Sequence, residues 1–346
     1  MQMAANVTPK FDQTDAAWMA HRYERTRDEI HFRHIVRADH ATFPFLTEEY
    51  VGHLPPTPVA RVQAVATMGD RQSPLHFIFH SAFCGSTLLC RAFDHHGVAM
   101  GLSEPPILND IVGIRRRQEA APKAVAQLLD EGMALLAREW APGEAVIVKP
   151  SNIVNPLAAA MLSLRPHANA LLLYCPLETF LSSVARKGMW CRLWARELLE
   201  GYLTDGSVDL GFAPNDYFRM TDLQCAAVGW LAQQRMFTDL TARFSPSRVR
   251  CIDSETMLGD PTATISALAA LFEIDATNAD IAAMASGPAF HRHSKFGQTF
   301  GPEQRRAESD MALAAHGDEI AKVTEWANAV ARTAGVPMTL PFQLLG

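Results

Sequence analysis

The stretch LHFIFHSAFCGSTLL, residues 75–89, decides the fold. Its apolar first half predicts a strand over residues 75–79, and the hydroxyls of Ser86 and Thr87 open a helix predicted over 86–95. Between them lies a loop of small residues that ends at Gly85. Such a turn directs backbone N–H groups and the positive end of a helix dipole at one point. We expect a phosphate or sulfate there; an ordinary turn without a ligand is the alternative.

The pattern continues beyond this stretch as short apolar runs that alternate with helical periodicity. Strands are predicted at residues 75–79, 98–101, 145–148, 170–174 and 249–252, and helices at 86–95, 108–139, 156–164, 177–187, 221–244 and 261–272. Alternation of this kind is typical of parallel strands joined by crossover helices. The predicted fold class is α/β, with a central parallel sheet flanked by helices.

The first 72 residues follow a different pattern. Trp18, Tyr23, Ile30 and His34 recur at intervals of five, seven and four residues, which we interpret as helical periodicity and which predicts a helix over residues 15–34. The run LPPTP at 54–58 and the break at 69–74 interrupt the chain. We therefore expect an N-terminal helical annex over residues 1–72 and the α/β domain over 73–346.

Composition excludes several classes of protein. The chain has 346 residues, 48% of them hydrophobic, which is enough for a real core and excludes disorder. Its formal net charge of −6 lacks the positive field that non-specific nucleic-acid binding needs. No stretch approaches a membrane span and no signal segment is visible, so we expect a cytoplasmic protein that contacts no membrane. The six cysteines form no C-x-x-C pair and the thirteen histidines no H-E-x-x-H motif, so neither disulfides nor a metal site are expected.

Other chemically useful side chains are predicted at the same edge of the sheet as the loop. Glu104 follows the second strand and Lys149 ends the third, and the carboxyl ends of parallel strands share one edge. Ser182 and Arg186 lie four residues apart on the next helix, a spacing at which both side chains contact one phosphate. Considered alone, each of these side chains has an alternative interpretation as a solvated charge or part of an exposed turn without a function.

The loop and these positions together resemble the sulfotransferases that use 3′-phosphoadenosine 5′-phosphosulfate (PAPS), and most of all the branch with tyrosylprotein sulfotransferases and bacterial relatives. The resemblance covers about residues 75–300. Glu104 falls nineteen residues after Gly85, where that branch carries its catalytic glutamate. Lys149, the run PHANALLL at 166–173 and the DP pair at 260–261 match further family positions.

The resemblance implies a role for each of these residues. The 5′-phosphosulfate loop would be Cys84, Gly85, Ser86, Thr87 and Leu88. Ser182 and Arg186 would bind the 3′-phosphate together with the later Arg292 and Lys295. Glu104 would take the acceptor's proton, Lys149 would hold the transferring group, and His80 is a second candidate base at the mouth of the loop. The implied reaction moves a sulfuryl group to a hydroxyl of a small molecule or peptide and needs no metal.

Two departures from the family pattern remove expected cations. Phe83 stands where the loop normally has a basic residue, and Tyr174 stands where an arginine is expected eight residues before Ser182. The substitutes available in the sequence are His80, Lys149, Arg186, Arg292 and Lys295. Two alternatives follow. One is a non-catalytic nucleotide-binding protein. The other is a P-loop kinase using ATP and Mg²⁺, which is disfavoured because Ser86 occupies the Walker A lysine position and no aspartate closes a strand in the Walker B manner.

Overall fold

The structure is a computed structural model that describes residues 9–66, 72–291 and 302–345. The strands are β1 Trp18–Glu24, β2 Glu29–His34, β3 Thr57–Ala60, β4 Leu75–His80, β5 Ala99–Ser103, β6 Ala145–Lys149, β7 Ala170–Tyr174 and β8 Val249–Asp253. The helices are α1 Arg37–His40, α2 Glu48–Val51, α3 Arg61–Ala66, α4 Ser86–Ala92, α5 Pro106–Arg116, α6 Pro122–Leu136, α7 Ala158–Leu164, α8 Leu177–Arg186, α9 Gly188–Thr204, α10 Asp222–Arg243, α11 Ser254–Gly259, α12 Pro261–Leu271, α13 Asn278–Ser286, α14 Pro288–His291 and α15 Pro302–Ala334. Two 3₁₀ helices cover Asn152–Leu157 and Pro214–Arg219.

The centre of the fold is a parallel sheet of five strands in the order β5-β6-β4-β7-β8. Every residue of β4, β6 and β7 is buried, as expected for strands covered by helices on both faces. The predicted α/β class with a central parallel sheet is confirmed. Because the strands are parallel, the segments that follow β4, β5, β6 and β7 all leave from one edge of the sheet.

The helix predicted over residues 15–34 is wrong. This segment forms the hairpin of β1 and β2, and β3 extends it to an antiparallel sheet of three strands. Ile30 and Phe32 are buried on either side of the half-buried His31, as the two-residue period of a strand requires. The polar turn between the strands is closed by Glu24, whose carboxylate accepts the N–H groups of Thr26 and Arg27. The described part of residues 1–72 thus holds a three-stranded sheet and three short helices, where a helical annex was expected.

Two connections fasten this N-terminal segment to the parallel sheet. Arg37 donates to both carboxylate oxygens of the fully buried Glu144, at 2.7 and 2.6 Å, and also to Asp94. Nearer the loop, the N–H of Leu46 donates to the carbonyl of Ser103 at 2.9 Å, at the end of β5. The segment around Leu46 therefore lies against the edge of the sheet from which the loop leaves. The division at residue 72 stays a prediction.

Several element ends differ from the predicted ones for local reasons. Helix α4 stops at Ala92, short of the predicted residue 95, because His95 bridges to Ala99 at the start of β5. The helices predicted between residues 108 and 139 are α5, which begins two residues earlier at Pro106, and α6, which begins at Pro122. At the other end of the chain, Gln343 bridges to Cys251 of β8, so the C-terminal segment lies along the edge of the sheet.

Candidate active site

The loop after β4 is a tight turn in which three residues have positive φ angles. Ala82, Phe83 and Gly85 have φ values of 69°, 51° and 81°, in the left-handed region that residues other than glycine rarely adopt. A Cβ on Gly85 would lie 2.8 Å from Cε of Met257, the movable end of a flexible side chain, so the left-handed backbone is the main reason for glycine there. The turn delivers the chain into α4 with the side chains of Ser86 and Thr87 buried. The strand, loop and helix predicted from the sequence are confirmed.

His80 fixes the start of this loop. Its Nδ1 accepts the N–H of Ala82 at 3.1 Å, so the proton lies on Nε2, which donates to the carbonyl of Pro150 at 3.0 Å. The carbonyl of His80 in turn accepts from the side-chain amide of Asn155 at 3.0 Å. Since His80 is buried and both its ring nitrogens are engaged, the geometry suits positioning of the loop better than proton transfer.

Glu104, Lys149 and Thr87 come together at the carboxyl edge of the sheet. Lys149 ends β6 opposite Ser103 of β5, and its side chain is fully buried. Its ammonium donates to Oε1 of Glu104 at 2.5 Å and to the hydroxyl of Thr87 at 3.4 Å. One ammonium thus joins the predicted base to the first turn of the helix that follows the loop.

The backbone of Glu104 adopts a conformation that is uncommon for residues other than glycine. Its φ is 55°, and its N–H donates to the carbonyl of Lys149 at 2.7 Å. Strain of this kind persists where surrounding structure imposes it, and it is frequent at functional sites. The side chain of Glu104 is 18% exposed, whereas that of Lys149 is fully buried. The accessible acid beside a buried cation is an arrangement able to accept a proton from a bound hydroxyl.

Aromatic side chains of the N-terminal segment cover this pair. The ammonium of Lys149 lies 4.9 Å from the ring centroid of Phe45, within the range of a cation–π contact. The ring of Tyr50 meets Phe45 edge-on at 6.0 Å. Burial raises the pKa of Tyr50, and the nearby charges of Glu49 and Glu104 raise it further. Neither Phe45 nor Tyr50 was predicted at the site, because a helical annex over residues 1–72 gives no reason to bring them to the sheet.

The predicted phosphate-binding pair lies on α8. Ser182 is buried and Arg186 is exposed, and the helix approaches the loop through Phe180, whose ring centroid is 5.7 Å from that of Phe83. The structure therefore brings the helix that bears this pair to the loop. Arg292 and Lys295, predicted as later contacts of the same phosphate, lie outside the described residues.

The two residues that replace expected cations have clear partners. The hydroxyl of Tyr174, the last residue of β7, accepts from the N–H of Leu340 at 3.4 Å and from the side chain of Gln343 at 3.5 Å. The C-terminal segment thus occupies the surroundings of this position. Phe83 packs against Phe180 and Trp194, and the ammonium of Lys187 lies 4.8 Å from its ring centroid. The sequence gives no reason to place Lys187 at the loop, since its contact depends on the turn between α8 and α9.

The loop cysteine is a buried packing residue. The thiol of Cys84 donates to the carbonyl of Leu173 at 3.5 Å, and burial raises its pKa to about 11. At neutral pH it is protonated and therefore a poor nucleophile. The chemistry of the site belongs to the charged and hydroxyl groups around it.

The kinase alternative requires one correction. Contrary to expectation an aspartate does close a strand, since Asp253 is the last residue of β8. Its carboxylate caps α11, however, accepting the N–H groups of Glu255 and Thr256 and the hydroxyl of Thr256 at 2.6 Å. Strand β7 separates β8, which carries Asp253, from β4.

Within residues 9–66, 72–291 and 302–345, no group of three or more metal-ligating side chains is found.

Comparison with known proteins gives matches at the level of structure. No protein-family model and no curated protein matches the sequence. The sulfotransferase domain from the curacin biosynthetic pathway is similar over 72% of this chain and 99% of its own, with 13% identity and a TM-score of 0.44. The sulfotransferase domain from the Synechococcus PCC 7002 olefin synthase is similar over 64% of this chain and 82% of its own, with 15% identity and a TM-score of 0.38. Among the helices that the structure describes, none has the length and apolar character to cross a bilayer.

Proposed function

We propose that the chain transfers a sulfuryl group from PAPS to a hydroxyl of a small molecule or peptide. The observation that carries the proposal is the ammonium of Lys149, buried and in contact with both Glu104 and Thr87. A buried cation between a helix-opening hydroxyl and an accessible carboxylate suits a reaction in which an anionic group moves to a hydroxyl.

The residues present fit an anionic donor at the loop. The left-handed turn ends in two buried hydroxyls at the start of α4, where backbone N–H groups lack carbonyl partners within the helix. Buried polar atoms without a partner in the described part of the chain include Oγ of Ser103, the last residue of β5, and Nδ2 of Asn152, three residues after the end of β6. A polar ligand at this edge would supply hydrogen bonds that the protein itself leaves unmade.

In the proposed reaction the acceptor oxygen forms a bond to sulfur while the bond from sulfur to the bridging 5′-phosphate oxygen breaks. Adenosine 3′,5′-diphosphate leaves with that electron pair, and the acceptor proton passes to Glu104. Because Oε1 of Glu104 is held by Lys149, Oε2 is the atom that takes the proton. Lys149 and the loop amides stabilise negative charge on the transferring group and the leaving oxygen. His80 positions the loop through the bonds of its two ring nitrogens.

A second candidate is a nucleotide-binding protein without catalysis. Two observations favour it, each at a position where a cation was expected. Phe83 places a phenyl ring in the loop, and the hydroxyl of Tyr174 accepts a hydrogen bond from the N–H of Leu340 in the C-terminal segment. Binding of nucleotide with no turnover on any acceptor would support this alternative.

The proposed function is tested by parallel transfer assays. Labelled sulfate in PAPS and labelled γ-phosphate in ATP·Mg²⁺ are each offered with the same panel of phenols, alcohols and hydroxyl-bearing peptides. We expect label to move only from PAPS, without added metal. Transfer from ATP alone would contradict the proposal and favour a kinase.

A further inference from the structure

The ammonium of Lys149 has an aromatic partner as well as two polar ones. It donates to Oε1 of Glu104 at 2.5 Å and to the hydroxyl of Thr87 at 3.4 Å. It also lies 4.9 Å from the ring centroid of Phe45, which belongs to the segment between β2 and β3. The lysine side chain is fully buried and the phenylalanine is half-buried. A half-buried ring against a buried ammonium helps to keep water from that charge.

The two polar contacts change or are weak during the proposed reaction. Glu104 attracts the ammonium mainly through its negative charge, and this charge is lost when the carboxylate takes the acceptor's proton. The contact with Thr87 is longer than the roughly 3.2 Å usual for a hydrogen bond from nitrogen. An aromatic face attracts a cation through its quadrupole, which does not depend on the protonation of Glu104. The ring is therefore the partner that attracts Lys149 equally before and after the proton moves.

Contacts on both sides of Phe45 along the chain hold the ring at this place. The N–H of Leu46, the next residue, donates to the carbonyl of Ser103 at the end of β5, at 2.9 Å. Glu48 of α2 accepts from the guanidinium of the buried Arg33 of β2, at 2.8 Å. The segment that carries the ring is thus bonded to the parallel sheet and to the N-terminal sheet.

We propose that Phe45 is a positioning residue for Lys149, whose ring keeps the ammonium in place while Glu104 takes the acceptor's proton and loses its negative charge. This role rests on the proposed function, because it is defined for a reaction in which Glu104 is the base. Phe45 acts through Lys149 and takes part in no bond that forms or breaks. The N-terminal segment is thereby part of the catalytic unit, although the expected site residues all lie after residue 72.

Fluorine atoms on the ring test this role, because they weaken its negative face and change its size little. A Phe45 ring that carries one and then three fluorine atoms is expected to lower kcat stepwise, by up to about thirtyfold for three. The dissociation constant of adenosine 3′,5′-diphosphate, measured by titration calorimetry, is expected to stay within about twofold, because the role belongs to the chemical step. Phe45→Leu, which removes the ring, is expected to lower kcat at least as much as three fluorine atoms.

Phe244 is the matched control. The guanidinium carbons of Arg243 and Arg248 lie 5.6 and 5.3 Å from its ring centroid, but Phe244 precedes β8 and therefore lies at the opposite edge of the parallel sheet. The same fluorine atoms on this ring are expected to leave kcat unchanged. They show whether fluorination of an aromatic partner of a cation affects the rate wherever it is placed.

A second background shows whether Phe45 acts through Lys149. In Lys149→Met the ring has no ammonium to hold, so fluorination of Phe45 is expected to leave the residual rate unchanged. If the wild type transfers sulfuryl from PAPS and its kcat is indifferent to fluorination of Phe45, the role of Phe45 is overturned and the proposed function stands. The same holds if fluorination lowers the rate equally in Lys149→Met. A wild type that transfers nothing from PAPS would overturn both.

Discussion

Glu104 and Lys149 are bonded to each other twice, once through the backbone and once through their side chains. The N–H of Glu104 donates to the carbonyl of Lys149 at 2.7 Å, and the ammonium of Lys149 donates to Oε1 of Glu104 at 2.5 Å. Neighbouring parallel strands place the two residues side by side, and the left-handed backbone of Glu104 turns its amide onto the next strand. The pair therefore has one fixed geometry before any substrate arrives.

Glu104→Gln is expected to lower the rate of sulfuryl transfer by about 10²–10⁴-fold, the usual contribution of a general base. The amide is nearly isosteric and keeps an oxygen for Lys149, but it cannot accept the acceptor's proton. Binding of adenosine 3′,5′-diphosphate and the melting temperature are expected to change little. Steady-state rates on an accepted substrate measure the effect, and turnover equal to the wild type would place the base elsewhere.

Lys149→Met is expected to reduce turnover at least about a hundredfold while the dissociation constant of the nucleotide product changes little. The reason is that the ammonium stabilises charge that develops mainly in the transition state. Methionine fills a similar apolar volume, and Glu104 retains access to water, so the fold is expected to survive. Near-native turnover would reduce Lys149 to a structural partner of Glu104.

The double variant Glu104→Gln with Lys149→Met adds an internal control. Because the two residues are in direct contact, their effects on the rate are expected to be less than additive. Strict additivity would show that the pair does not act as a unit.

Arg186→Ala is expected to weaken adenosine 3′,5′-diphosphate by about 1.5–3 kcal/mol and to affect adenosine 5′-phosphosulfate, which lacks the 3′-phosphate, much less. Arg186 and Ser182 lie on the helix that packs against the loop, and the C-terminal segment surrounds the other position where a cation was expected. Arg243→Ala is the control, since that arginine contacts Ser163 near the opposite edge of the sheet. Equal weakening of both ligands in calorimetry would assign Arg186 to a different phosphate.

Stability is expected to fall in mild acid because three histidines are buried in neutral form. Burial lowers the pKa of His21 and His76 to about 4 and that of His40 to about 3. In the unfolded chain these histidines take up protons near pH 6.5. Their contribution to the free energy of unfolding is therefore complete above that pH and is lost as the pH falls toward about 4. Each histidine contributes a slope of up to about 1.4 kcal/mol per pH unit within this window.

Urea unfolding at several pH values between 7.5 and 5 measures this slope. His76→Asn keeps an acceptor for the N–H of Asn169 but does not titrate. The slope of the unfolding free energy against pH is therefore expected to fall by the contribution of one proton. His96→Asn, at an exposed position, is the matched control. An unchanged slope in His76→Asn would show that His76 does not contribute to the acid sensitivity.

The parallel sheet was predictable because its strands are buried on both faces and read as continuous apolar runs. The strand 170–174 agrees with β7 residue for residue. The convergence of Glu104, Lys149 and Thr87 was also predictable, since it depends only on parallel strands ending at one edge. The N-terminal hairpin was not predicted, because the intervals of seven and four residues that join Tyr23, Ile30 and His34 fit one face of a helix and concealed the turn at 25–28.

The parts of the site that the sequence did not reveal come from long-range packing. Phe45 reaches Lys149 only because Leu46 is bonded to the end of β5, and Lys187 reaches Phe83 only through the bend at Gly188. Neither contact has a local signature in the chain. Arg292 and Lys295 remain predictions.

The most direct test of the central claim is a comparison of two ligands by thermal shift. Adenosine 3′,5′-diphosphate and ATP·Mg²⁺ are each added to the wild-type protein at increasing concentration, and a ligand at 100 times its dissociation constant stabilises the fold by about 2.7 kcal/mol. If the chain uses PAPS, adenosine 3′,5′-diphosphate is expected to stabilise it selectively and without metal. Selective stabilisation by ATP·Mg²⁺ would contradict this proposal.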